Sequence, residues 1–148
     1  MQIETTRFGA LQVEEGRVIT FPDGLPGFEG CHRFTFVRHP GDRTSPFEWL
    51  QSVEDGALAF LAMEPRHVFP DYAPRVSKPE LESLSLGADD CPPRLYALLT
   101  VPKSDPRGIT ANLMAPVIVN PAARVAKQVI VNNDEYGLRH RLLPGEPE

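Results

Sequence analysis

Apolar and polar positions alternate along most of this chain with a period of two. In residues 33–38 (RFTFVR), Phe34 and Phe36 fall on one face and Thr35 on the other, the pattern of a half-buried strand. Residues 46–53 (PFEWLQSV) set Phe47, Trp49 and Gln51 against Glu48, Leu50 and Ser52. Residues 17–21 (RVITF) and 125–131 (VAKQVIV) are rich in β-branched side chains, which suit a pleated surface. Residues 57–63 (ALAFLAM) are continuously apolar, and Gly56 and Pro65 hold that run to strand length. Further strands are predicted at 1–8 and 10–14 around Gly9, with a turn at Glu15-Gly16, and at 94–101, 109–113, 116–119 and 136–143. Pro116 has no ladder donor and marks a strand start, an edge or a bulge.

One helix is predicted. Ser77-Lys78-Pro79-Glu80 has the spacing of a capping box, in which hydroxyl and carboxylate each take an unpaired backbone N–H. Leu81 and Leu84 then share a face, and Gly87 ends the helix. About nine or ten short strands with one short helix predict a mainly β fold, a small antiparallel β-barrel-like domain. The domain is expected over residues 1–143, with 144–148 a flexible C-terminal tail.

Composition sharpens this picture. The 148 residues fit one domain and bury about two-thirds of the unfolded chain's surface. The 16 prolines, scattered throughout, argue against a helical bundle. The net charge is −5, whereas nucleic-acid binders are usually basic. A direct nucleic-acid partner is therefore not expected, and an acidic surface suits a basic protein partner. An RNA-binding reading would need a basic stripe, for which Arg124, Lys127, Arg139 and Arg141 are the candidates. The N-terminus has no secretory pattern, and no apolar run approaches the ~18 residues of a membrane span. The expectation is a cytoplasmic protein with no membrane partner, in which Cys31 and Cys91 stay unpaired.

Chemistry is sparse. His32, His39, His67 and His140 show no metal-ligand spacing. Cys31 and His32 are neighbours and point to opposite faces of a strand. No phosphate-binding loop or hydrolase motif occurs. The acidic pairs Glu54-Asp55, Asp89-Asp90 and Asp134-Glu135 read as turns. No catalytic, cofactor-binding or metal-binding residue is predicted, no cofactor is expected, and a binding protein is favoured over an enzyme. The alternative, a small-molecule-binding or enzymatic barrel, would need a pocket built from Cys91, His67 and Tyr72. Apolar residues in loops are where a binding protein is to be searched. The loop FPDGLPGFEG (21–30) stands out, because it sets Phe21, Leu25 and Phe28 among turn residues.

Several segments in register carry a resemblance. Ile19-Thr20-Phe21-Pro22 followed by Gly24-Leu25-Pro26-Gly27-Phe28-Glu29, then Pro46-Phe47-Glu48-Trp49-Leu50-Gln51-Ser52, then the stretch from Phe60 to Tyr72 with Pro65, Phe69 and Asp71, resemble the flagellar assembly factor family, FliW. So do Thr110-Ala111-Asn112-Leu113, Ala115-Pro116-Val117, Asn120, Gln128-Val129 and Tyr136, with Val117 where the family pattern has isoleucine. The resemblance spans about Ile3 to Leu143. It implies a bacterial cytosolic barrel-like protein with two protein partners. One is flagellin, held in a chaperone-like complex before secretion. The other is the RNA-binding translational repressor CsrA, which the freed protein antagonises allosterically. Leu25 and Phe28 are the candidates for an apolar patch facing flagellin's amphipathic terminal helices. Glu29, Glu54, Glu64 and Asp71 are the candidate carboxylates for CsrA. Asn112 and Asn120 are expected to hold backbone turns, and Trp49 to lie in the core.

Overall fold

The computed structural model describes residues 1–38, 47–84, 93–101 and 108–141. Its strands are β1 (Gln2–Thr5), β2 (Gly9–Gln12), β3 (Ile19–Thr20), β4 (Arg33–Val37), β5 (Phe47–Ser52), β6 (Ala59–Met63), β7 (Arg94–Thr100), β8 (Thr110–Ala111), β9 (Val117–Asn120), β10 (Val125–Gln128) and β11 (His140–Arg141). One helix, α1 (Lys78–Ser83), and 3-10 turns at Glu15–Arg17 and Pro65–His67 accompany them. Gly87, Cys91 and the tail at 144–148 lie outside the described residues.

Seven strands close into a ring, β3-β4-β5-β6-β7-β9-β10 and back to β3. The fold is mainly β, a barrel with one short helix, as the patterning predicts; the ring has seven strands and, contrary to the antiparallel expectation, is not antiparallel throughout. The ring is mixed: β10 runs parallel to β3 through Val125 and Thr20, while the other ring ladders are antiparallel. β7 is long enough to serve two partners on one edge. Arg94, Leu95 and Tyr96 pair with β9; Leu99 and Thr100 pair with β8, which passes the sheet on to β11.

Strand ends are shorter than the patterning predicts, and the turns explain why. Residues 129–131 still bond the facing segment, Val129 N–H to the Pro116 carbonyl (3.0 Å) and Val131 N–H to that of Met114 (2.9 Å). Pro116 returns no N–H, so the regular ladder stops at Gln128. Asn112 Oδ1 accepts the Met114 and Ala115 N–H groups. Asn120 Oδ1 accepts those of Ala122 and Ala123, and its Nδ2 donates to the Leu84 carbonyl (2.8 Å). Both asparagines hold turns, as their type favours.

The core is continuous with the aromatic residues of the alternating strands. Phe21 meets Phe34 edge-on at 5.1 Å, and Phe34 lies 6.3 Å from Phe60. Leu25, Leu50, Ala62, Val117, Val119 and Ala126 fill the space around them. Trp49 is half-buried, with the Arg7 guanidinium 3.7 Å from its ring centroid. The helix caps a second cluster, with Leu84 packed on Ile118 and Val129. The predicted capping box does not form. Ser77 sits at the N-cap without a side-chain bond, and the Glu80 carboxylate goes to Lys127 Nζ at 2.9 Å instead of back to the Ser77 N–H. Lys127 also lies 3.7 Å from Asp23. These partners, Glu80 foremost, hold the Lys127 ammonium above its ordinary pKa.

The β1–β2 hairpin docks on the barrel through the 53–57 turn, where Thr6 N–H donates to the Gly56 carbonyl (3.0 Å). A Cβ on Gly56 would stand 1.9 Å from the Glu4 carbonyl oxygen. Backbone on backbone leaves no flexible group to yield. Gly56→Ala is expected to destabilise the domain by about 1–3 kcal/mol, read as a lowered urea midpoint. A midpoint equal to that of the wild type would refute the close approach.

Candidate functional site

The 21–32 loop is built from two turns. Gly24 N–H donates to the Phe21 carbonyl (2.9 Å), closing Phe21-Pro22-Asp23-Gly24. Phe28 N–H donates to that of Leu25 (2.7 Å), closing Leu25-Pro26-Gly27-Phe28. The second turn has proline at its second position and Gly27 at φ +85° in its third, the type II signature. Gly24, at φ +65°, lets the 28–29 backbone pass so close that a Cβ would lie 2.7 Å from Glu29 Cα.

These turns separate the two apolar candidates. Leu25 points inward and is 2% exposed, in the cluster with Phe21 and Phe34. It closes the barrel and offers no surface of its own. Phe28 is 42% exposed, with its ring edge-on to Phe60 at 5.4 Å. An aromatic path, Phe21-Phe34-Phe60-Phe28, thus leads from the core to the surface. Cys31 is half-buried against the same core.

Two candidate carboxylates serve this loop. Glu29 Oε2 accepts the Gly27 N–H (2.7 Å) across the tip. Glu54 Oε1 accepts the His32 and Arg33 N–H groups (2.5 and 2.9 Å) at the base. The His32 N–H holds the Glu54 carboxyl below the usual glutamate range; desolvation opposes it, and the Arg33 N–H and nearby positive charge add smaller lowering contributions. Glu64 is exposed, 4.0 Å from His67 Nε2. Asp71 is exposed on the far loop.

Of the residues Cys91, His67 and Tyr72, the structure places only the latter two, and apart. Cys91 lies outside the described residues, and His67 and Tyr72 line different hollows. Tyr72 is buried, donates its hydroxyl to the Leu113 carbonyl (2.7 Å), and is pushed above the usual tyrosine range by that burial. Its hollow, about 330 Å³, joins it instead to Phe69, Asp71, Glu135, Tyr136 and His140. The patterning missed this grouping, because it brings together residues up to 71 positions apart, from Phe69 to His140. It also missed an exposed aliphatic group, Met114, Ile130 (70% exposed) and Leu138 (60%). Here a signal was present: a period of two through Val129-Ile130-Val131 puts Ile130 opposite two buried valines.

The basic stripe is not formed as a unit. Lys127 is committed to Glu80 and Asp23, while Arg141 sits on β11, which among the described residues pairs with β8 alone. Arg124 instead lines a separate hollow with Arg17 and Arg94. Among the described residues no His, Cys, Asp and Glu group could hold a metal ion. No helix there is long and apolar enough to cross a membrane.

Burial predicts opposite phenotypes for two neighbours. Leu25→Ala is expected to cost about 2–5 kcal/mol, and Phe28→Ala about 1 kcal/mol, both from chemical denaturation. Equal costs would refute the separation. Glu54 gives a pH signature. Its folded pKa is depressed, so its contribution is complete above the unfolded value and lost as pH falls through the folded one. The stability gap between wild type and Glu54→Gln should therefore be present at neutral pH and vanish in acid. A gap that widens on acidification would contradict the assignment.

Comparison with known proteins agrees with this architecture. The family model for FliW protein matches residues 2–142. The flagellar assembly factor FliW of Alkaliphilus metalliredigens is 37% identical over 143 residues, covering 97% of this chain and 86% of that protein. That of Bdellovibrio bacteriovorus is 39% identical, covering 94% and 77%. A crystal structure of the flagellar assembly factor FliW superposes with a TM-score of 0.87 at 35% identity, covering 97% of this chain and 98% of that one. Members of this family are assembly factors rather than enzymes. With its barrel and its 21–32 loop matched along nearly the whole length, the chain belongs to the FliW family of flagellar assembly factors.

Proposed function

We propose that the chain is a cytoplasmic regulator that binds flagellin and the translational repressor CsrA in alternation. It holds unsecreted flagellin in a chaperone-like complex. Once flagellin is exported, the freed protein binds CsrA and antagonises it allosterically, relieving repression of flagellin translation. Family membership supports the flagellar context. The observation that carries the binding reading is the display of Phe28, exposed on a loop whose neighbours Phe21 and Leu25 are buried. An aromatic ring held outward in this way suits the apolar face of an amphipathic helix. Leu25 then acts beneath the contact, as its support.

The net charge of −5 suits a basic RNA-binding partner. Of the four carboxylates assigned to CsrA, Glu64 and Asp71 are the exposed pair away from the 21–32 loop, whereas Glu29 and Glu54 already bond its backbone. The reading is tested by size exclusion with purified flagellin and purified CsrA. Co-elution with each alone is expected, with flagellin displacing CsrA. Failure to bind either sinks the proposal, and a stable ternary complex contradicts the alternation. Phe28→Ala should stay folded and weaken flagellin binding about tenfold, as loss of an aromatic anchor does.

A further inference from the structure

The hollow beside Tyr72 has a composition that selects its occupant. Its walls are the rings of Phe69, Tyr72, Tyr136 and His140. Tyr72 and Tyr136 meet at 4.6 Å and 64°, Tyr136 and His140 at 6.3 Å and 70°, and Phe69 and His140 at 6.0 Å and 76°. Three of the rings are fixed by backbone bonds. The Tyr72 hydroxyl donates to Leu113, the Tyr136 hydroxyl accepts the Ala73 N–H (2.9 Å), and His140 Nε2 accepts the Gly137 N–H (2.7 Å). Asp71 and Glu135, both exposed, join the lining from two different loops. Arg66 donates its Nε to the Tyr72 carbonyl (3.1 Å) and is not in the lining. Arg139, beside His140, is exposed and also outside the lining.

Ring faces and carboxylates attract the same kind of group. An aromatic face carries partial negative charge and holds an alkylammonium or guanidinium, and two carboxylates add to that potential. The surroundings add a second requirement. The Leu113 and Met114 N–H groups converge on the Gly137 carbonyl (both 3.1 Å), so exposed Met114 and Leu138 are chain neighbours of this junction, next to the lining residue Leu113 though outside the lining themselves. Exposed Ile130 precedes Val131, whose N–H bonds the Met114 carbonyl (2.9 Å). We propose that this hollow takes the side-chain cation of a lysine or arginine from a protein partner, on a segment whose neighbouring aliphatic residues cover Met114, Ile130 and Leu138. The proposal rests on the reading of the chain as a protein-binding module, and it names the chemistry of the segment bound.

The test separates the two. Labelled protein is titrated by NMR with N-acetyl-lysine methylamide, N-acetyl-arginine methylamide and the neutral N-acetyl-norleucine methylamide. The Tyr136, His140 and Leu113 signals should move saturably with the two cationic probes and not with the neutral one. The double variant Asp71→Asn, Glu135→Gln should weaken binding about fivefold or more. Tyr136→Phe, which keeps the ring, should retain binding, and Tyr136→Leu should lose it. No shift, equal shifts from the neutral probe, or undiminished binding by the double variant would overturn the proposal. These probes involve neither flagellin nor CsrA, so failure of the alternation model leaves this result standing. Conversely, undiminished partner binding by the double variant combined with Leu138→Ser would overturn the hollow's role alone.

Discussion

The barrel is held shut by a seam of two residues. β3 consists of Ile19 and Thr20, yet it bonds β4 on one side and β10 on the other. Thr20 N–H reaches the Arg124 carbonyl at 2.9 Å, and this bond draws the ring closed. Arg124 supplies it from a left-handed conformation, φ +55°, alone in this among the described non-glycine residues. That conformation costs an L-residue roughly 1–2 kcal/mol. The surroundings over-determine it. Its N–H bonds the Asn120 carbonyl (2.8 Å), and its guanidinium bonds the Glu15 carbonyl (3.0 Å) on the approach to β3. The turn that begins at Asn120 therefore fixes both the direction of β10 and the position of the strand beside it.

The same turn reaches the helix. Asn120 Nδ2 bonds the end of α1 at Leu84, while Lys127, one strand further on, joins Glu80 of the helix to Asp23 of the exposed loop. A six-residue helix has little stability of its own. Here it is a cover over Ile118 and Val129, held at its end by an amide and on its side by an ion pair. Seam, helix and loop are thus positioned from one stretch of chain, 120–127.

The strands were legible because apolar and polar residue types alternate along them, although burial does not follow that alternation: Thr35, Gln51 and Ser52 are buried along with Phe34 and Leu50. The loop turns were legible because Pro22 and Pro26 fix φ and Gly24 and Gly27 take up the positive φ that other residues avoid. Asn112 and Asn120 could be read as turn holders for the same reason. Two things could not be read. The parallel seam depends on where β10 lands after a hairpin, and no local pattern encodes that. The capping box at Ser77 and Glu80 was the correct local signal, yet Lys127, 47 residues away, competed for the carboxylate and won. Sequence spacing likewise hid the aromatic hollow, since Phe69 and His140 meet only when β11 pairs with β8 at the end of β7.

The 21–32 loop is also closed at its base. Phe21 N–H bonds the His32 carbonyl (2.7 Å), the His32 ring Nδ1 lies 3.1 Å from the Phe21 carbonyl, and Glu54 clamps the next two amides. A loop sealed in this way has already lost its conformational entropy when the domain folds. On the proposed function, a helical partner that meets Phe28 would order its own chain and not this one, so a rigid counterpart would confine the entropic cost of assembly to one side. The loop's amides should accordingly exchange with solvent hydrogen as a single unit, bound or free, with no separate ordering step on complex formation.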